Sequence, residues 1–117
     1  MLTLYGIPNC DTVKKARKWL DNQGVAYQFH DYKKQGISLA KLDSWLTQLP
    51  WEKLVNRSGM TWRKLSDEEK AAVTDAASAA ALLETHTSAI KRPLIENADG
   101  EVVALGFSEK DYEQAFA

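Results

Sequence analysis

The sequence predicts an α/β fold. Its core is a four-stranded mixed sheet, built from a β-α-β unit and a β-β-α unit, with a helical subdomain inserted between them. Three observations predict it. Hydrophobic periodicity switches from two to 3.6 and back within the first ~30 residues. A long middle stretch keeps the helical period between cap residues. Alternation then returns on either side of a turn signal, Asn97-Ala98-Asp99-Gly100.

Leu2 to Tyr5 reads as a strand, with Gly6, Pro8 and Asn9 punctuating the loop that follows. A helix starts at Asp11. Val13, Ala16 and Leu20 form its apolar stripe, Trp19 flanks it, and Lys14, Lys15, Arg17 and Lys18 cover the rest. Asn22 and Gly24 end it. Val25 to His30 alternates as a second strand, so the first two strands are expected to be parallel with a right-handed crossover.

Ser38 caps a helix carrying Leu39, Leu42, Trp45, Leu46 and Leu49, and Pro50 stops it. A loop, Asn56-Arg57-Ser58-Gly59, follows Trp51 to Val55. Ser66-Asp67-Glu68-Glu69 opens another helix as a capping box. The alanine-rich stretch Asp75 to Glu84 is a further helix by propensity. Leu94 to Glu96 and Glu101 to Leu105 form a hairpin, and Ser108 caps a last helix expected to bury Tyr112, Ala115 and Phe116. The chain reads as one domain, 1–117, with the helical insertion at approximately 36–89. A chain of 117 residues buries roughly two-thirds of its unfolded surface, enough for one core.

Composition narrows the function classes. The net charge of −1 argues against a nucleic-acid or anionic-membrane binder, since excess positive charge holds those partners. One cysteine excludes an internal disulfide, and secreted proteins of this size more often carry an even set. There is neither a signal-peptide pattern nor an apolar run of the ~20 residues a membrane span needs. A cytoplasmic location is therefore expected. Monomer is the default state.

The sharpest chemical feature is Cys10, which ends the loop and opens the first helix. Helix N-termini present free N–H groups, here those of Asp11 and Thr12, and a partial positive charge. Both favour the reactive thiolate. Lys14 lies one turn on, on the same helix face. A lone cysteine can also be inert filling in a core. The position after the first strand argues for reactivity, because open α/β sheets bind ligands at the carboxyl ends of their strands. Val13 stands three residues after Cys10, so there is no C-x-x-C pair. A single thiol needs an external thiol for release, and glutathione is the cytoplasmic candidate.

Arg92 sits in Lys91-Arg92-Pro93, just before the third strand. Its planar fork suits carboxylates and oxyanions, although an arginine on a turn can equally be solvated and idle. Pro93 restricts the residue before it and can be cis. His30 and His86 are isolated, and no ligand spacing supports a metal or a bound cofactor.

Together these residues resemble the arsenate reductase (ArsC) family of thioredoxin-like proteins. The matching stretches are Tyr5-Gly6-Ile7-Pro8-Asn9-Cys10-Asp11-Thr12-Val13-Lys14-Lys15-Ala16, His30-Asp31-Tyr32-Lys33, Asn56-Arg57-Ser58-Gly59, Lys91-Arg92-Pro93-Leu94-Ile95 and Gly106-Phe107-Ser108. Small YffB-like reductases are the most similar branch, and Spx regulators share the scaffold. The resemblance implies a thioredoxin-like fold and a catalytic Cys10. It also implies anion-binding roles for Arg57 and Arg92, a cis Pro93 and a basic residue at Lys14.

The implied activity is a glutathione-dependent thiol reductase working through a mixed disulfide. Its partners would be glutathione or a small thiol or disulfide substrate, with glutaredoxin as a further candidate. Two alternatives stand beside it: an Spx-like regulator that binds RNA polymerase, and a weak arsenate reductase. Spx proteins that sense redox use a C-x-x-C pair, which Val13 denies here. Arsenate reductases of this type carry a histidine where this chain has Gly6, and a third arginine where it has Phe107. Losing one charge-assisted donor costs about 1.5–3 kcal/mol of anion stabilisation. Weak or absent arsenate reduction is therefore expected.

Overall fold

A computed structural model describes residues 1–116. The chain divides into two compact units. One comprises Met1–Gln35 and the segment from Arg92 onward; the other is Gly36–Lys91.

The first unit holds β1 (Leu2–Gly6), α1 (Asp11–Asn22), β2 (Tyr27–Asp31) and α2 (Tyr32–Gln35). The second holds α3 (Leu39–Leu46), α4 (Trp51–Leu54), α5 (Met60–Arg63), α6 (Asp67–Ala71), α7 (Ala76–Thr85) and a 3-10 turn at Thr87–Ala89. The chain returns to the first unit with β3 (Leu94–Glu96), β4 (Val102–Leu105) and α8 (Glu109–Phe116).

The sheet runs β2-β1-β3-β4. β1 and β2 are parallel, as a strand-helix-strand crossover requires, and the β1–β3 and β3–β4 pairings are antiparallel. Register explains the core. Phe29, Leu4, Ile95 and Ala104 form one row across all four strands. Period-two alternation puts that whole row on one face. Val13, Ala16 and Leu20 of α1 and Tyr112 of α8 pack on it, and Leu4, Val13, Ala16, Leu20 and Ile95 are wholly buried. The next row, His30, Tyr5 and Leu94, points the other way. There the Tyr5 and His30 rings lie 4.7 Å apart, and the Tyr5 hydroxyl donates to buried Glu96 at 2.7 Å.

In the second unit α3 buries Leu42 and Trp45 and packs against α7, which buries Ala79, Ala80 and Leu83. Ser66 closes a full capping box with Glu69, as its spacing predicts, and Asp75 closes another with Ser78.

Some elements differ from expectation. β2 begins at Tyr27 rather than Val25, because the Val25 N–H is taken by the Leu20 carbonyl of α1. α3 ends at Leu46, and Leu39 on its first turn is exposed. α2, α4 and α5 form single turns that the sequence pattern does not announce. Ala115 is exposed, because α8 is short and presents only Tyr112 and, in part, Phe116 inward. No helix of the described residues is long and apolar enough to cross a membrane.

Ile95 lies in the central row with no exposure. Ile95→Ala is expected to cost about 2–5 kcal/mol through lost transfer energy and the cavity left behind. Urea unfolding monitored by circular dichroism measures it, and a loss under 1 kcal/mol would contradict this placement.

Candidate active site

Cys10 is the N-cap of α1, in extended backbone geometry (φ −119°, ψ 125°), and its carbonyl accepts from the Lys14 N–H at 2.9 Å. The thiol is half-buried. That burial pushes its pKa up. The Val13 N–H, the Arg92 guanidinium and the Thr12 N–H together outweigh it, and the net result is a pKa below the ordinary thiol value. The two amides face the sulfur without closing a full capping hydrogen bond, so they act as oriented dipoles. The thiolate is favoured in the folded chain. It stabilises the fold above the ordinary thiol pKa, and that contribution disappears as pH falls through the lowered one.

Of the three α1 residues expected to favour the thiolate, Thr12 is among the groups that lower the Cys10 pKa. An N-cap side chain faces the N–H groups of the second and third helical residues. Those are Thr12 and Val13, whereas Asp11 is the first and is not among the groups acting on the sulfur. Lys14 is exposed and is likewise absent from them. The cation at the sulfur is Arg92.

Topology brings Arg92 there. Tyr5 pairs with Leu94 across β1 and β3, so the loop leaving β1 and the segment entering β3 emerge at one sheet edge. The Arg92–Pro93 peptide is cis. The Pro93 carbonyl accepts from the Gly106 N–H at 2.8 Å, and the Gly106 carbonyl accepts from the buried Tyr112 hydroxyl at 2.7 Å. This chain of bonds ties the Arg92 segment to α8. Sequence reasoning missed Tyr112 in this role; its only signal was a tyrosine at a core position, whose hydroxyl needs a partner when buried.

Arg57 belongs to the second unit. It is exposed, and its guanidinium lies 5.6 Å from the Trp51 ring centroid.

Gly6 and Phe107 acquire physical reasons. A Cβ at Gly6 would sit 2.9 Å from Val13 Cγ2, inside any real contact distance, and Val13 is wholly buried. Phe107 packs on the same core as Cys10, its ring 4.9 Å from Tyr112 and nearly perpendicular to it. Hydrocarbon therefore fills both places. No cluster of three or more His, Cys, Asp or Glu among the described residues could hold a metal ion.

Fold and site together define a thioredoxin-like protein with one cysteine at a helix N-cap and an arginine facing it. The chain belongs to the ArsC family, whose family model matches residues 5–115. A solved YffB protein structure superimposes at a TM-score of 0.93, with 43% identity and 100% of both chains covered. An arsenate reductase-related protein from Brucella melitensis gives 0.77 at 48% identity, covering 98% of this chain and 93% of that one. The global transcriptional regulator Spx of Streptococcus mutans is 28% identical, over 95% of this chain and 80% of its own length. The chain is thus similar both to an arsenate reductase-related protein and to a transcriptional regulator.

Two outcomes follow from this geometry. Arg92→Gln should move the pH profile of Cys10 alkylation by iodoacetamide toward higher pH, because the guanidinium's charge and donors are lost; an unchanged profile would remove Arg92 from the site. Gly6→Ala should cost about 1–3 kcal/mol by overpacking. Combined with Val13→Ala it should cost less than the sum of the two single changes in urea unfolding, since the second makes room for the first.

Proposed function

We propose that this protein is a glutathione-dependent thiol reductase acting through Cys10. The observation that carries this reading is the half-buried Cys10 sulfur, held below its ordinary pKa by the Val13 and Thr12 amides and by Arg92. The substrate class is a mixed disulfide between a thiol R–SH and glutathione. The Cys10 thiolate attacks the glutathione sulfur. The Cys10–glutathione S–S bond forms, the R–S bond breaks, and RS⁻ leaves with the electron pair. A second glutathione, as thiolate, then attacks the sulfur bound to Cys10. Oxidised glutathione departs and the Cys10 thiolate returns. The proton released by that second glutathione ends on RSH, so the two electrons gained by R come from glutathione. A thiolate of lowered pKa suits both roles: more of it is present at neutral pH, and it is a better leaving group in the second step.

Arg92 is proposed to hold an anionic group of the bound thiol, and Arg57, on the second unit, is proposed as an anion-binding residue in its own right. Arsenate would be a poor substrate. With Gly6 backed by Val13 and Phe107 packed against the core, two donors that a highly charged oxyanion needs are missing. The similarity to Spx raises the alternative of a polymerase-binding regulator. The reductase reading is preferred because such a role has no use for an activated single thiol.

Incubation with oxidised glutathione, followed by intact-mass and peptide mass spectrometry, tests this. One glutathione should appear on Cys10 and be removed by excess reduced glutathione, and Cys10→Ser should take none. Absence of the wild-type adduct at neutral pH would end the reductase reading.

A further inference from the structure

Among the described residues two carboxylates are buried, Asp31 and Glu96. Asp31 has a local purpose: its Oδ1 accepts from the Lys33 N–H at 2.9 Å, at the start of α2. Glu96 is bonded far along the chain, its Oε2 accepting from the Tyr5 hydroxyl of β1 at 2.7 Å. One neutral donor offsets little of the cost of taking a carboxylate out of water. A cation does more.

The surroundings point to which cation. Tyr5, Leu94 and Glu96 share the sheet face turned away from α1 and α8. Three rings gather there: Tyr5 lies 4.7 Å from His30 and 6.2 Å from Tyr32, and His30 lies 5.9 Å from Tyr32. They fix the Tyr5 hydroxyl and, through it, the carboxylate. Burial pushes the Tyr5 phenol well up, and the Glu96 hydrogen bond and charge add to that, so Tyr5 stays the donor. Burial does the same to Tyr32, whose hydroxyl makes no hydrogen bond among the described residues. Besides Tyr5, that hydroxyl feels two charges of opposite sign, Arg92 and Glu96. Both therefore lie within electrostatic reach of one buried atom of the first unit. His30 is not among the groups acting on that atom or on Cys10, and Glu96 is not among those acting on Cys10. Of these side chains, only Arg92 acts on both the sulfur and the Tyr32 hydroxyl. A guanidinium suits two partners, because its donors spread around one rigid plane and those aimed at the sulfur leave others for a carboxylate.

We propose that Glu96 is a positioning residue for the Cys10 thiolate: held by the Tyr5 hydroxyl, it pairs with Arg92 and keeps the guanidinium turned to the sulfur. This role rests on the activated thiol of the reductase reading and is independent of which oxidised partner Cys10 meets.

Iodoacetamide alkylation of Cys10 against pH tests this on variants whose circular dichroism matches the wild type. Glu96→Gln should move the midpoint toward higher pH and slow alkylation below it by about two- to tenfold. Tyr5→Phe should move it the same way by less. Added to Arg92→Gln, Glu96→Gln should move it no further, because its effect passes through the guanidinium. Urea unfolding gives a second readout. Arg92→Gln strands a buried carboxylate, so Arg92→Gln/Glu96→Gln should be more stable than Arg92→Gln, even where that single variant fails to fold. A midpoint unmoved or lowered by Glu96→Gln, equal shifts with and without Arg92, or a double variant less stable than Arg92→Gln would each overturn the proposal. An ordinary thiol midpoint in the wild type would sink the reductase reading as well, whereas a lowered wild-type midpoint that Glu96→Gln leaves in place sinks the role of Glu96 alone.

Discussion

The candidate site turns on how the fold favours a negative charge on one sulfur at the start of a helix. Taking a thiolate partly out of water is unfavourable, and burial of Cys10 acts in that direction. The offset is assembled from two remote parts of the sequence. The amides come free with the helix: Thr12 and Val13 occupy the second and third positions of α1, where N–H groups have no partner inside the helix. The cation must be brought from elsewhere. The antiparallel pairing of β1 with β3 does this, because Tyr5 opposite Leu94 sets the end of one strand beside the start of the other. A one-residue slip in that register would turn Leu4 and Ile95 out of the core as well. The hydrophobic row that stabilises the sheet therefore also fixes where Arg92 arrives.

Such an offset works only if the arginine has little freedom, since reorganisation would consume part of what the charge gains. The connections from Pro93 to Gly106 to the Tyr112 hydroxyl supply that restraint. Tyr112 is at once a core residue under Leu4 and Ile95 and a hydrogen-bond donor to the site's support. Core packing and site geometry in this unit are one set of interactions.

Sequence reading captured what depends on local pattern. The stripe Val13, Ala16, Leu20, the turn at Asn97–Gly100, the cap at Ser38 and the box at Ser66 each announce their element through spacing alone, and the structure has them. Cys10 was legible as a helix-opening residue for the same reason. What stayed hidden depends on three dimensions. The single turns α2, α4 and α5 have too few residues for a period to show. Lys14 shares a helix face with Cys10 on paper, yet the cation acting on the sulfur comes from across the sheet, a relation set by β1–β3 register rather than sequence distance. Ala115 has the right spacing for burial but lies at the end of a short helix, where little remains to cover it.

The places where this chain departs from the arsenate reductase pattern are linked through one core. Val13 fills the space a side chain at position 6 would need, and it is also the residue whose N–H faces the sulfur. Phe107 packs against Tyr112, the same ring that secures the Arg92 segment. Placing a histidine at position 6 or an arginine at position 107 would therefore disturb the groups that favour the thiolate. Polar anion-binding groups at these positions and the present hydrocarbon packing exclude one another. A site so built offers no side-chain donor at positions 6 and 107 and provides what one thiolate requires. Such a site suits the proposed sulfur-to-sulfur exchange, in which a single negative charge moves along a line of sulfur atoms and no multiply charged intermediate has to be held.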